Sequence, residues 1–230
     1  MIPKIIHYCW FGKGDKPLKV QKCIKSWKKY CPDYQIIEWN ENNFDINMSK
    51  YTKFCYENKK YAFLSDFVRL WVIYNNGGIY MDTDVEVIRP LDELTDNEAY
   101  FGFENNDYVN TGVGFGAEIK NKIVKLMIEE YDLNSEKLVG CPALNTKALV
   151  KQGLNLNGQS QIINGAKIYP VEYFNPYDSL TGKLKKTINT YTIHWYAGSW
   201  LSKRKKIRAN ISKYFHRFFG EDCFKWMKRK

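Results

Sequence analysis

The chain is short of the features that mark metal-clamped, secreted or membrane-spanning proteins. Its six cysteines, at 9, 23, 31, 55, 141 and 223, form no C-x-x-C pair, which argues against a zinc knuckle. Several stand inside apolar stretches, where free thiols act as small hydrophobes. No apolar run approaches the roughly 20 residues of a membrane span. The opening Met-Ile-Pro-Lys-Ile-Ile lacks a charged leader followed by an apolar core, so a reducing cytoplasm is the expected home. Most of the chain also lacks net charge. Residues 201–230 hold eleven Lys/Arg against two acidic residues, or +9, which leaves +1 of the total +10 for residues 1–200. A chain-wide basic surface would have suggested nucleic acid. A basic tail on a near-neutral body suggests an anionic surface instead, such as the inner face of a membrane.

What is present suits one substantial core. The 230 residues are 44% hydrophobic, as expected of a single globular domain, and 16% aromatic, which is high. Aromatic rings pack cores and also make flat platforms for bases and sugars. Residues 2–10 read as a buried first strand ending at Phe11-Gly12-Lys13-Gly14-Asp15. Pro17 opens a helix to about Tyr30, and residues 34–39 read as a second strand. Strand, helix, strand points to an α/β fold with a parallel sheet. Residues 50–59 and 61–75 read as helices, the latter stopped by Asn76-Gly77-Gly78. Strands are expected at 79–81, 85–88, 100–103, 113–117 and 191–196, with helices at 121–131 and 142–151. Residues 154–165, rich in Asn and Gly, read as a loop or flap, and residues from 202 onward as a basic helix.

The segment Gly77-Gly78-Ile79-Tyr80-Met81-Asp82-Thr83-Asp84 carries the chemistry. A short apolar strand brings two carboxylates, two residues apart, to its carboxyl edge, where open α/β sheets bind ligands. Paired acids in a partly buried site repel each other, and a hard divalent cation removes that repulsion. The glycines let the backbone come close to a ligand. A plain acidic turn would also fit Asp82-x-Asp84 taken alone. In the preceding helix, Asp66 and Arg69 are three residues apart and share a face, while Phe63, Phe67, Leu70 and Trp71 can take the core side. The pair can be a simple ion pair or can hold sugar hydroxyls.

Ala62-x-x-Ser65-Asp66-x-x-Arg69 followed by Gly77-Gly78-Ile79-Tyr80-x-Asp82-x-Asp84 resembles the D-x-D sugar-transferase family, glycosyltransferase family 32. That family takes in yeast mannosyltransferases, bacterial capsular and lipopolysaccharide transferases and, more distantly, clostridial glucosylating toxins. The likeness is strong over residues 61–88 and looser at the ends, where Pro3-Lys4-Ile5-Ile6-His7-x-x-Trp10-x-Gly12 looks like the family's first strand. It implies a GT-A-like, Rossmann-type α/β domain with a mixed central sheet over residues 1–200, followed by a basic amphipathic tail, 201–230. It implies sugar transfer from a nucleotide-diphosphate sugar, a UDP-sugar above all, to a glycan or lipid-linked glycan acceptor, with Mn²⁺ or Mg²⁺ and retention at the anomeric carbon.

The resemblance also assigns roles. Trp10 would stack on the base, although a core tryptophan is the alternative. Asp66 and Arg69 would hold the donor sugar, Asp82 would touch ribose and sugar, and Asp84 would bind the metal. In His194-Trp195-Tyr196-Ala197-Gly198-Ser199-Trp200, His194 is either a third ligand or a structural histidine, and Ser199 and Trp200 would lie beside the diphosphate. The motif departs from the toxin pattern. His7 reads as a buried, satisfied histidine. Asn110-Thr111-Gly112-Val113-Gly114-Phe115-Gly116 has no G-K-[ST] and is no P-loop; it forms either the floor of a sugar pocket or a glycine-bent strand.

Three other functions fit the residues less well. A haloacid-dehalogenase-type phosphatase needs Thr or Val two residues after the second aspartate, and Glu86 stands there. A non-catalytic sugar-binding module would not require Asp66, Arg69 and an acidic pair together. A toxin acting on protein fits the small size poorly.

Overall fold

The computed structural model describes residues 1–132, 138–198 and 203–220. The elements run β1 (Ile5–Cys9), α1 (Leu18–Tyr30), β2 (Gln35–Trp39), α2 (Lys50–Glu57), α3 (Tyr61–Asn76), β3 (Gly78–Tyr80), β4 (Val85–Val87), β5 (Ala99–Gly102), β6 (Phe115–Ala117), α4 (Lys122–Asp132), α5 (Cys141–Val150), β7 (Gln161–Ile163), β8 (Ala166–Tyr169), α6 (Val171–Phe174), β9 (Thr192–His194) and α7 (Lys203–Phe219). Seven strands make one sheet in the order β2-β1-β3-β6-β5-β8-β7, and β4 and β9 make a separate antiparallel ribbon. The parallel start expected from the sequence is present, since β1 pairs in parallel with β2 and with β3. The sheet then turns mixed. β6 runs antiparallel to both β3 and β5, β5 is parallel to β8, and β7 is antiparallel to β8.

Side chains alternate across the strands and feed two cores. On one face, Tyr80, Phe101 and Phe115 pack with Phe67, Leu70 and Ile73 of α3, Met127 of α4 and Leu149 of α5. On the other face, Ile6, Ile79 and Tyr100 pack with Trp27 of α1, Val85 and Val87 of β4, and Phe174. Helix α1 buries Val20, Cys23 and Trp27, a three- and four-residue spacing that lines one face. The Trp27 indole donates to the Val85 carbonyl at 2.8 Å and ties this helix to the ribbon.

The segment read as a loop or flap, 154–165, holds strand β7 instead. Asn164 and Gly165, with φ of 47° and 81°, make a two-residue turn between β7 and β8. Left-handed dihedrals at both central positions give the turn whose twist suits a hairpin. The second strand, 166–169, alternates too briefly to show as a period in the sequence.

The reason for the glycine pair before the acidic motif is spatial. Gly78 has φ +99°, and a Cβ there would stand 2.7 Å from the Ile5 carbonyl oxygen and 3.0 Å from His7 Nε2. Strand β3 therefore lies close against β1 only because position 78 has no side chain.

His7 is fully buried and satisfied. Trp39 Nε1 donates to its Nδ1 at 3.0 Å, so the ring proton sits on Nε2 and faces the Gly77 carbonyl, also at 3.0 Å. Burial pushes the imidazole down to about 4, against the Gly77 carbonyl, which favours the proton. An unfolded histidine titrates near 6.5, so between those values the unfolded chain takes up a proton that the folded one refuses. This contribution to stability is complete above that range and is lost as pH falls. Lowering pH from 7.5 to 5 is expected to remove about 2 kcal/mol through this group. Urea midpoints at the two pH values, measured for the protein and for His7→Gln, check it. The variant should respond less to pH, and an equal response would clear His7 of the effect.

Candidate active site

Strand β3 ends at Tyr80, and the chain turns at once. The Met81 amide donates to the His7 carbonyl at 3.1 Å, the Asp82 amide to the Gly112 carbonyl at 3.1 Å, and the Val85 amide back to the Asp82 carbonyl at 3.0 Å. Both aspartates are thereby fixed at the carboxyl edge of a central strand, where ligands of such sheets bind. Trp10 follows β1, the parallel neighbour, and so stands at the same edge. It is half-buried, its Nε1 donates to the Gly14 carbonyl at 2.6 Å, and Lys16 Nζ lies 5.7 Å from its ring.

Arg69 connects the two halves of the motif. Its Nη2 reaches Asp66 Oδ1 at 2.8 Å and Asp82 Oδ1 at 2.9 Å. Its Nε donates to the Ser65 carbonyl at 3.2 Å, and its guanidinium lies 5.0 Å from the Tyr80 ring centre. The residue is 3% exposed, so its positive charge is held by these carboxylates rather than by water. The two aspartates stay partly open. Burial raises the Asp66 carboxyl even against Arg69. Burial also pushes Asp82 up, to about 6, with Arg69 opposing and the neighbouring Asp84 charge adding to the rise.

His194 closes the other side. The ribbon pairs Val85 with His194, which sets the imidazole beside Asp84. Its Nε2 lies 3.1 Å from Asp84 Oδ1, and the Ala197 amide donates to Asp84 Oδ2 at 2.7 Å. Burial by itself would raise Asp84, but His194 and the Ala197 amide hold the carboxyl below its usual value. Burial likewise opposes a charged His194, and the Asp84 carboxylate overcomes it and raises the ring's pKa.

Asp82, Asp84 and His194 each offer a ligand atom within 4.8 Å of the others, two carboxylate oxygens and one imidazole nitrogen. Ligands at about 2.1 Å place opposite donors about 4.2 Å apart, so one small ion fits the trio after a slight closing of side chains. His194 Nδ1 is buried with no hydrogen-bond partner among the described residues. Two carboxylate oxygens with one imidazole nitrogen make a donor set for a divalent cation.

Of the residues singled out in the sequence, Asp66, Arg69, Asp82, Asp84 and His194 come together, and Trp10 shares their sheet edge. Ser199 and Trp200 lie outside the described residues. The glycine-rich stretch 110–116 is strand at its end and lies against the acidic motif at Gly112. Residues 115 and 116 are strand, while Gly112 is the wall behind Asp82. A Cβ at 112 would run into Asp82 Oδ2 and stand 2.8 Å from Arg69 Nη1.

Several supporting contacts were not legible in the sequence, although Asn110 stands in its glycine-rich stretch and Gly140-Cys141-Pro142 faintly resembles a turn of the family. Cys141 Sγ lies 3.5 Å from Arg69 Nη1 and 3.4 Å from Asn110 Oδ1, whose other contact is the Gly112 amide at 2.6 Å. Pro142 marks the first turn of α5. Glu104 and Asn175, which meet Tyr196, carried no signal.

Residues 17–101 match the family model described as the glycosyltransferase sugar-binding region containing DXD motif. The sugar-binding region so matched holds Asp66, Arg69, Asp82 and Asp84, while His194 lies beyond it. Inositol phosphoceramide mannosyltransferase 3 of Schizosaccharomyces pombe (strain 972 / ATCC 24843) is 34% identical over 97 residues, covering 40% of this chain and 27% of that protein. Inositol phosphoceramide mannosyltransferase 1 of the same organism is 27% identical over 104 residues, covering 40% and 31%. The chain thus spans only 27% to 31% of these relatives' lengths. Among solved structures, a glycosyltransferase involved in the glycosylation of the major capsid of PBCV-1 superposes with TM-score 0.54 at 13% identity, over 91% of this chain and all of the other. The PaToxG glycosyltransferase gives 0.51 at 21% identity over 66% and 70%. The fold of this chain is accordingly of the GT-A type, as the resemblance implied.

Proposed function

We propose that the chain is a metal-dependent glycosyltransferase that moves a hexose or N-acetylhexosamine from a nucleotide-diphosphate sugar, a UDP-sugar above all, to a glycan or lipid-linked glycan, in the synthesis of capsule, lipopolysaccharide or another surface polysaccharide. The observation that carries this is the bridge of Arg69 between Asp66 and Asp82, set beside the Asp82–Asp84–His194 trio at one sheet edge. The mannosyl transfer in the names of the fungal relatives supports a hexosyl donor, and their ceramide acceptors support a lipid-linked one.

Asp82, Asp84 and His194 would hold the divalent ion. When bound, the ion supplies Lewis-acid stabilisation of charge on the leaving diphosphate. Asp66 and Asp82, aimed by Arg69, offer carboxylate oxygens to sugar and ribose hydroxyls. Arg69, fixed between the two carboxylates, holds them in place so that they need not reorganise during transfer. Trp10 presents an aromatic face to the base, and Ser199 and Trp200 are assigned to the diphosphate by the family pattern. Retention at the anomeric carbon is carried over from the family pattern, with the acceptor attacking on the face the diphosphate leaves. A thermal-shift screen of nucleotide sugars tests the reading, because bound ligand stabilises the folded state by mass action. At least one nucleotide sugar should raise the melting temperature with Mn²⁺ and not with chelator. No shift from any member of the panel, with the metal present, would count against it.

The basic helix α7 is assigned to anionic lipid at the inner face of a membrane. No helix among the described residues is long and apolar enough to cross one. Ile207, Ile211, Phe215 and Phe218 stand at spacings that share one stripe, and Ile207, Ile211 and Phe218 are 60%, 54% and 76% exposed. Lys213 fastens the helix to the body, its Nζ donating to the Tyr177 hydroxyl at 3.3 Å. An apolar stripe among basic residues suits the lipid interface, at about 1 kcal/mol per Lys or Arg near an anionic surface, screened by salt. Co-sedimentation should require phosphatidylserine vesicles, weaken with salt and vanish on truncation after Ser202. Equal recovery from neutral vesicles would reject the assignment.

A further inference from the structure

Metal-binding histidines are ordinarily held by a hydrogen bond from the second ring nitrogen, which fixes the ring's rotation. His194 has no such bond among the described residues. Its Nε2 meets Asp84, and its Nδ1 is buried without a partner. The ring nevertheless needs a restraint if it is to present a nitrogen to the acidic pair. The residue beside it supplies one. The Tyr196 ring lies over the imidazole with centres 4.1 Å apart and planes at 45°.

Tyr196 is itself unusually well held. Its φ of 48° places it in the left-handed region, which costs an ordinary L-residue roughly 1–2 kcal/mol. Left-handed backbone at such a residue persists when its surroundings over-determine it. Here the kink folds the phenol back over His194, and the next amide, Ala197, points at Asp84 Oδ2. The phenol hydroxyl donates to Glu104 Oε1 at 3.0 Å and accepts from Asn175 Nδ2 at 2.6 Å. Asn175 Nδ2 also donates to the Glu104 carbonyl at 3.0 Å. Three segments, the turn after β5, the end of α6 and the chain after β9, are thus locked together through one hydroxyl.

We infer that Tyr196, anchored by Glu104 and Asn175, is a positioning residue that fixes the His194 ring by aromatic contact, in place of the missing second hydrogen bond. The inference rests on the proposed metal site. Its consequence is that the ring of Tyr196, far along the chain from the D-x-D motif, governs how tightly a divalent ion is held. Tyr196→Leu removes both ring and hydroxyl, and Tyr196→Phe removes only the anchoring hydroxyl.

Titration with Mn²⁺ alone, followed by the electron paramagnetic resonance of the free ion, tests this without recourse to turnover. The unaltered protein should bind the ion saturably and Asp84→Asn should not. Tyr196→Leu should weaken binding at least about fivefold, toward the tenfold or more typical of lost supporting contacts around metal ligands. Tyr196→Phe should weaken it by about twofold or more, and it keeps the test open if the leucine variant fails to fold. A smaller change in Tyr196→Leu, with Asp84→Asn unable to bind, would overturn this inference and leave the metal site standing. An unaffected affinity in Tyr196→Phe would overturn the role given to the Glu104 and Asn175 anchors. No saturable binding by the unaltered protein, or normal binding by Asp84→Asn, would remove the metal site and this inference with it.

Discussion

Replacing Asp84 by asparagine is expected to lower sugar transfer at least about a thousandfold, some 4 kcal/mol of transition-state stabilisation. One carboxylate oxygen meets His194 and the other accepts the Ala197 amide, so Asp84 ties the ribbon to the turn after β3. Asparagine keeps a carbonyl acceptor for Ala197 and nearly the same volume. What it lacks is the charge that a divalent ion needs. The fold should therefore survive, with a melting temperature changed by fewer than about 5 °C, or roughly 1–2 kcal/mol. Turnover per folded molecule, with the melting temperature as control, checks the expectation. Substantial activity in this variant would mean that Asp84 is not a ligand.

Arg69→Met should damage both stability and activity. Arg69 is buried and neutralises two carboxylates at 2.8 and 2.9 Å. Removing one partner of a buried charge cluster leaves the others uncompensated, at a cost of about 3–5 kcal/mol. For a chain of this length that corresponds to a drop of very roughly 6–20 °C in melting temperature. This differs from what an exposed pair three residues apart on a helix would give, a few tenths of a kcal/mol. Adding Asp66→Asn to Arg69→Met removes one of the stranded charges and should recover part of the lost stability. It should not recover activity, because Asp66 and Asp82 would no longer be aimed. Melting curves of the single and double variants, together with turnover below the melting point, separate the two effects. Unchanged melting in Arg69→Met would show that the cluster is not bound together as described.

Much of this was legible in the sequence because short spacings settle it. Asp66 and Arg69 share a helical face by periodicity, and Asp82 and Asp84 stand at a strand's end because an apolar triplet precedes them. The mixed sheet was less accessible. Nothing in residues 115–117 states that they pair antiparallel between β3 and β5, since strand order is decided by which apolar faces find each other. Strand β7 was hidden in a polar stretch, although Asn164-Gly165 is the dipeptide that a tight hairpin requires. The contacts of Cys141, Asn110, Glu104 and Asn175 join segments far apart in the chain. Their roles follow from tertiary proximity, which neither composition nor period records. The stability of the Arg69 cluster was also beyond reach, because burial sets its size.

The most direct test of a metal-assisted nucleotide-sugar transferase is hydrolysis of donor in the absence of acceptor. The purified protein is incubated with a panel of nucleotide-diphosphate sugars, and release of nucleoside diphosphate is followed with Mn²⁺ and with excess chelator. Slow release from at least one donor is predicted, dependent on the metal and absent in Asp84→Asn. Release at the same rate in chelator, or in Asp84→Asn, would contradict the account.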